Sequence, residues 1–245
     1  MAIYDCFPFF YELELLDLRL ILLNNKVDYF VIVEMNRTQR GEKKEYIFEE
    51  NKHKYKRYLN KIIHIKVDAD LLIDIENNIK DGSKNWILEN YQRNCIMSGL
   101  KNCNLEDIVM ISDIDEIPNL PNTLNDILNQ NVYIKNFWRA KIGLMNKILK
   151  INPLYLFKTL KVKNIIDLMP ISLEQNMYYY YLNGMVSTKW YGTVICKYKN
   201  IETPQNVRND RNKLFTIKNG GWHFSHLGGI EKIQKNIINY RRKSR

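Results

Sequence analysis

The sequence predicts an α/β layer fold with a largely parallel central sheet, and three observations carry that expectation. Strand-like apolar runs alternate with helix-like stretches through the first half of the chain. Tyr29-Phe30-Val31-Ile32-Val33 is continuously apolar, as a strand buried on both faces must be. A length of 245 residues with 45% hydrophobic content is enough to bury one full-sized core.

Ile3 to Phe7 reads as the first strand, and Leu13, Leu16, Leu20 and Leu23 then recur on one helical face. The run from Tyr29 is the second strand, with Glu34 at its carboxyl end. After a polar loop from Asn36 to Lys44, a basic helix is expected over Glu49 to Leu59 and a third strand over Ile62 to Ile65. Trp86 to Leu100 reads as a helix and Ile108 to Ile111 as a fourth strand. From Val132 onward aromatic strands dominate, notably Met177 to Leu182 and Trp190 to Ile195, and a helix over Ile230 to Tyr240 is expected last. Ligands in open α/β sheets bind beyond the carboxyl ends of strands, so Glu34 and Asp113 are expected to share a crevice.

No run of about 18 apolar residues occurs, and Asp5 and Glu12 stand where an export signal would be basic and then apolar. A soluble, cytoplasmic protein is the expectation. Cys6, Cys95, Cys103 and Cys196 form no CxxC pair, which argues for free thiols over a zinc site or disulfide scaffold. Lys and Arg number 37 against 27 acidic residues, a net charge of +10. Basic clusters fall at Arg208, Arg211, Lys213 and Lys218 and at Arg241, Arg242, Lys243 and Arg245. Such a balance suits nucleic acid, an anionic membrane surface or a phosphorylated small molecule, and most of these side chains are read as solvated surface.

The sharpest local signal is the apolar strand Ile108 to Ile111 running into Asp113, Asp115 and Glu116. Carboxylates so close together repel one another, and burying them unpaired is costly. A divalent cation, magnesium or manganese, is the expected compensation, with an acidic loop in water as the bland alternative. Glu89 and Arg93 share a helix face, and the functional reading has Glu89 orienting Arg93 toward an anionic donor, with Asn94 beside it. The alternative is an ordinary surface ion pair. His223 lies in the run Gly220 to Gly229, where flanking glycines allow close backbone approach, and is expected as a third protein ligand to the ion; His226 is the weaker candidate. Trp138, Trp190, Tyr180, Tyr181 and Trp222 are core by default, but flat aromatic faces also suit sugar rings.

Taken in order, Ile3 to Phe7, Glu12 to Leu16, Glu89 to Asn94, Ile111 to Pro118, Tyr178 to Asn183 and Gly220 to Ser225 resemble glycosyltransferase family 17 over nearly the whole chain. The resemblance implies a GT-A-like three-layer α/β/α sandwich with a mostly parallel central sheet, in one domain. Residues 1–130 would form the donor nucleotide half and 131–245 the acceptor half with a last helix. It further implies an inverting transfer from UDP-N-acetylglucosamine to a glycan or glycolipid acceptor. Asp113 and Asp115 would hold the metal and diphosphate, with Glu34, Arg93 and Asn94 on the donor side and Tyr180, Trp190 and Trp222 on the acceptor side. Glu116, chosen over Glu174 and Glu202, is expected to accept the acceptor proton. The basic tail suggests a peripheral membrane contact, and nucleic acid is not an expected partner. The last helix departs from the family, running into Arg241 to Arg245 where relatives continue with a Ser-His-Gln-Glu-like stretch. A phosphatase of the haloacid dehalogenase type is a weaker rival, since Ile117 stands where such motifs carry Thr or Val, and so is a non-enzymatic basic nucleic-acid-binding module stacking bases on its tyrosines, which the clustered carboxylates argue against.

Overall fold

A computed structural model describes residues 1–39, 41–70, 72, 84–120, 131–133, 161–163 and 165–227. The apolar runs become the inner strands. β1 (Ile3–Phe9) leads through α1 (Leu13–Leu23) to β2 (Tyr29–Met35), and α2 (Ile47–Asn51) with a 3-10 segment (Lys52–Tyr58) leads to β3 (Ile62–Val67). α3 (Lys84–Asn94) and α4 (Ile96–Gly99) precede β4 (Ile108–Ile111) and the short β5 (Glu116–Pro118). β6 (Asn131–Tyr133) and β7 (Lys161–Lys163) pair apart from the rest. β8 (Ile171–Tyr179), β9 (Met185–Lys197), α5 (Pro204–Asn209) and β10 (Phe215–Ser225) follow.

The main sheet has eight strands in the order β3-β2-β1-β4-β9-β8-β10-β5. Its first half is parallel, as the alternation of strand and helix requires. The second half corrects the expectation of a mostly parallel sheet. β9 runs antiparallel to both β4 and β8, while β10 is parallel to β8 and antiparallel to β5. The tight turn between β8 and β9 leaves no length for a crossover, so that pair must be antiparallel. The arrangement is a mixed-sheet α/β fold.

Alternation along the strands sends Phe7, Phe9, Phe30, Ile32, Ile108 and Met110 to one face, against Leu16, Leu20 and Leu23 of α1 and Phe48, Tyr55 and Tyr58. Cys6, Val31, Val33, Val109 and Ile111 face the other way, against Leu88, Ile96 and Leu100. Each face therefore has its own apolar cluster. The expected basic helix over Glu49 to Leu59 is instead one α-helical turn and a 3-10 segment kinked at Tyr55. Tyr55 and Tyr58 are both buried, and 3-10 geometry aligns side chains three apart on one face. The helix expected from Trp86 to Leu100 is divided at Cys95.

From β1 the chain steps outward to β2 and β3, then returns to place β4 on the other side of β1. The carboxyl ends of β1 and β4 thus flank the switch point where such sheets bind ligands. Among the described residues no helix is long and apolar enough to cross a membrane. Trp138, the Ile230–Tyr240 helix, Gly228, Gly229 and the basic tail lie outside the described residues.

Candidate functional site

The carboxylate loop after β4 is held from beneath by Arg19, a fully buried arginine on α1. Arg19 falls on the same face as Leu16, Leu20 and Leu23, so helix geometry drives its charge into the core. There its Nε and Nη2 donate to both oxygens of the buried Asp5 on β1, at 2.7 and 2.6 Å. Nη2 also donates to Ser112 Oγ at 2.6 Å, and Nη1 to the carbonyls of Asp113, Ile114 and Glu116 at 3.0–3.2 Å. A guanidinium has five donors in a fixed fork, which is why one side chain can set the path of a whole loop.

Above the loop, Asp113 lies between two arginines. Arg93 Nη2 donates to its Oδ1 at 2.7 Å, and Arg208 Nη2 to its Oδ2 at 2.6 Å. Burial would raise the Asp113 carboxyl, but the two guanidinium groups overcome that and hold it well below the usual range. Arg93 is braced by Glu89 at 3.0 Å and by Gln205, so the expected pairing along α3 exists and points inward. α5 starts at an N-cap, Thr203, whose hydroxyl accepts from the Asn206 N–H, and Pro204 fits its first turn. Asn94 Oδ1 accepts from the Gln205 N–H at 3.0 Å. Asn94 is therefore a positioning residue that ties α3 to the helix carrying Arg208.

Glu116 is fully buried. It accepts from Trp190 Nε1 and from Arg208 Nη2, each at 2.6 Å, and from the Asp113 N–H at 2.8 Å. Both of its oxygens are engaged by protein donors, two on Oε1 and one on Oε2, and the side chain is closed to water. It shapes the loop. Gly192 leaves the room this requires, since a Cβ there would lie 1.8 Å from Gln175 Oε1 and 3.0 Å from Glu116 Cδ.

Asp115 has a different neighbour. Its Oδ2 is 3.3 Å from His223 Nε2 on β10, and its carbonyl accepts from the Phe224 N–H at 2.9 Å. Burial raises the Asp115 carboxyl, Glu116 and Asp113 add to the rise, and His223 only partly opposes it. Burial pushes His223 down, but the hydrogen bond and charge of Asp115 outweigh this and leave it raised. The imidazole stacks on Trp190 at 4.7 Å, and Arg211 covers the indole at 5.4 Å. Among the described residues, buried His223 Nδ1 has no hydrogen-bond partner. Glu12, in the turn after β1, accepts from the Phe10 and Tyr11 N–H groups at 3.2 and 2.9 Å and is raised first by burial and further by the charge of Asp115.

The structure thus brings together Arg93, Asp113, Asp115, Glu116, Trp190 and His223 from the expected set. Glu34 is buried in β2 with His64 and Lys44, each at 3.1 Å, and the Phe48 N–H as donors. Its partner Lys44 lies over the Phe10 and Tyr11 rings, next to Glu12. Trp222 packs on the core face of β10, opposite His223. Tyr180 is exposed at the β8–β9 turn. Arg19 and Arg208 were not expected. Arg19 carried a signal, a charge on an apolar helical stripe, whereas Arg208 sat in a basic cluster read as solvated surface and is 2% exposed.

Among the described residues no three His, Cys, Asp or Glu side chains form a group able to hold a metal ion. Asp113 is already matched by arginines. Asp115, with His223 at 3.3 Å, is the carboxylate of the loop that no arginine is seen to match among the described residues. A carboxylate clamped by two guanidinium groups is also poorly disposed to act as the nucleophile that the phosphatase alternative would require of Asp113.

A mixed α/β sheet with a carboxylate loop at its switch point, braced by buried arginines, defines a ligand-binding α/β protein whose site is built for anionic or cation-linked chemistry. The model of glycosyltransferase family 17 matches residues 1–137, more than half of the chain, and the chain belongs to that family. It is a glycosyltransferase. The matched segment contains Arg19, Arg93 and the Asp113–Glu116 loop; Trp190, Arg208 and His223 lie beyond it. A comparison with curated proteins gives no match.

Proposed function

We propose that this chain is an inverting transferase of GT-A-like organisation that moves N-acetylglucosamine from UDP-N-acetylglucosamine to a glycan or glycolipid acceptor, with manganese or magnesium as cofactor. The observation that carries the reading is a charge mismatch at the switch point. Four arginines (Arg19, Arg93, Arg208, Arg211) stand among six carboxylates (Asp5, Glu12, Glu89, Asp113, Asp115, Glu116). The excess falls at Asp115, the motif carboxylate without an arginine. A divalent cation bound by Asp115 and His223 would supply Lewis-acid stabilisation of charge on the leaving diphosphate, worth several kcal/mol. In this reading Arg93 and Arg208 hold Asp113 and fix the loop, Glu116 orients the Trp190 indole, and Trp190 presents a ring edge toward the acceptor side. The acceptor hydroxyl attacks the anomeric carbon while the nucleoside diphosphate leaves from the opposite face.

The experiment is transfer or hydrolysis of UDP-N-acetylglucosamine by purified protein, with manganese and in excess chelator. Turnover only with the ion supports the reading. Equal turnover in chelator rejects the cofactor, and turnover of other sugar nucleotides in preference to this one rejects the donor.

A further inference from the structure

The turn between β8 and β9 exposes four large apolar side chains within six residues: Tyr180, Tyr181, Leu182 and Met185, at 43, 59, 65 and 62%. Isolated exposed apolar residues are ordinary, but a contiguous group at a projecting tip marks a contact surface. The turn is also built to hold its shape. Tyr180 adopts φ 65°, which side chains other than glycine seldom take, and its N–H donates to the Ser225 carbonyl at 3.1 Å. Its ring stacks on His226, and a Cβ on Gly184 would lie 2.5 Å from the Tyr179 carbonyl.

Topology fixes where the tip points. β8 and β10 run parallel to β4, because each is related to it through antiparallel β9 and parallel pairing. The turn therefore leaves the same end of the sheet as the Asp113–Glu116 loop. Tyr179 pairs with Ser225, two positions beyond the level of His223 and Met177, so the tip overhangs the site by about 7 Å at the usual strand rise. Charge is one-sided here. From Gln175 to Ile201 the chain carries no Asp or Glu, and the whole protein has a net charge of +10.

We propose that the Tyr179–Met185 turn is a membrane-interface anchor that sets Tyr181, Leu182 and Met185 into the headgroup zone of an anionic bilayer, with the mouth of the site facing that surface. Tyrosines suit the interface, where ring and hydroxyl find different surroundings, while Leu182 and Met185 suit hydrocarbon and have no use for a sugar ring. The absence of Asp and Glu from Gln175 to Ile201, the stretch that holds the turn, leaves nothing there to repel anionic headgroups, and the basic balance attracts them. The corollary that the acceptor is carried on lipid rests on the transferase reading; the membrane contact does not.

Co-sedimentation without any substrate tests it, using the full chain with phosphatidylcholine vesicles and with phosphatidylcholine vesicles containing phosphatidylserine. Binding is expected to the anionic vesicles and to be weaker on the neutral ones. Tyr181→Ser/Leu182→Ser/Met185→Ser should lower the partition at least about tenfold, the equivalent of one well-buried apolar side chain, with an unchanged melting point. Arg241→Gln/Arg242→Gln/Lys243→Gln should leave more binding than the triple serine variant does. A single Leu182→Trp change, independent of the triple variant's folding, should shift emission to the blue on anionic vesicles. No sedimentation with either vesicle, an unshifted Leu182→Trp spectrum, or a triple variant that binds like wild type would overturn the anchor. So would a turn that proves to be a self-association surface, seen as a dimer that the triple variant dissolves, or a glycan platform, seen as lost transfer to a soluble acceptor with vesicle binding intact.

Discussion

Arg208 Nη2 donates to Asp113 Oδ2 and Glu116 Oε1 alike, at 2.6 Å each, so one guanidinium from α5 bridges the first and last carboxylates of the loop. The middle carboxylate, Asp115, faces His223 instead. The motif is thereby divided into a part matched by permanent guanidinium charges and a part that faces a titratable imidazole.

Arg208→Ala should destabilise the fold by about 3–5 kcal/mol, because it leaves Glu116 buried with an uncompensated charge; the Asp113 contact counts for less, since that carboxylate is partly in water. Arg208→Lys restores a charge but not a fork that reaches Asp113, Glu116 and the Gly192 carbonyl together, so its loss should be intermediate. Thermal melts of the two variants, with circular dichroism to confirm the native fold, check the order. A Lys variant as stable as wild type would show that position does not matter.

Arg19 carries two jobs that a double variant separates. Arg19→Met strands Asp5 in the core and should cost about 3–5 kcal/mol. Asp5→Leu/Arg19→Met removes both charges and should recover part of that loss, as apolar replacement of a buried pair often does. Activity should not recover with it. The carbonyls of Asp113, Ile114 and Glu116 would still lack their donor, and a loop displaced by about 1 Å can lose about 10²-fold in rate. Melting points and transfer rates measured on the same preparations decide this.

The parts of the site that sequence made legible are those set by local rules. An apolar strand ending in clustered acids showed where the loop lies, four-residue spacing paired Glu89 with Arg93, and strand and helix periods located β1 to β4 and α1. What stayed hidden depends on contacts far apart in sequence. Trp190 meets Glu116 across 74 positions and Arg208 meets it across 92, and no local pattern encodes either meeting. The second half of the sheet was misjudged for a related reason: aromatic strands name themselves as strands, but their direction is decided by which neighbour each one finds. Strand position placed Glu34 at the end of β2 but says nothing of the side chain's own partners, here Lys44 and His64.

Gly192→Ala should cost about 1–3 kcal/mol through overpacking, because the new methyl enters the space of Gln175 Oε1 and crowds Glu116. Gln175 is the group that can yield. Its Oε1 has no hydrogen-bond partner among the described residues, while its Nε2 donates to the Ile117 carbonyl at 3.4 Å and to Thr193 Oγ1 at 3.3 Å, so Gly192→Ala/Gln175→Ala should cost less than the sum of the two single changes. Denaturant melts of the pair test the coupling. Strictly additive effects would mean that the clash is relieved elsewhere.

Asp115 and His223 give the sharpest test of the divided motif. Asp115→Asn should lose at least about 10²-fold in rate while folding normally, since it removes a ligand charge and no core packing. His223→Ala should raise the manganese requirement more than it lowers the melting point in chelator. A purely structural histidine predicts the opposite, because losing the stack on Trp190 would cost stability and leave a small cavity. Acid separates the two roles further. The ion and a proton compete for Nε2, and in the metal-free protein Asp115 holds His223 protonated to higher pH than the ordinary value of about 6.5. The manganese requirement of wild type should therefore climb as pH falls, starting above that ordinary value, and the climb should be weaker in His223→Ala. Activity titrated against manganese at several pH values, beside melts in chelator, reads both effects. A variant with wild-type metal dependence at every pH and a clearly lower melting point would leave His223 as a packed wall of the site and move the cation, if one is used, to Asp115 and the donor phosphates alone.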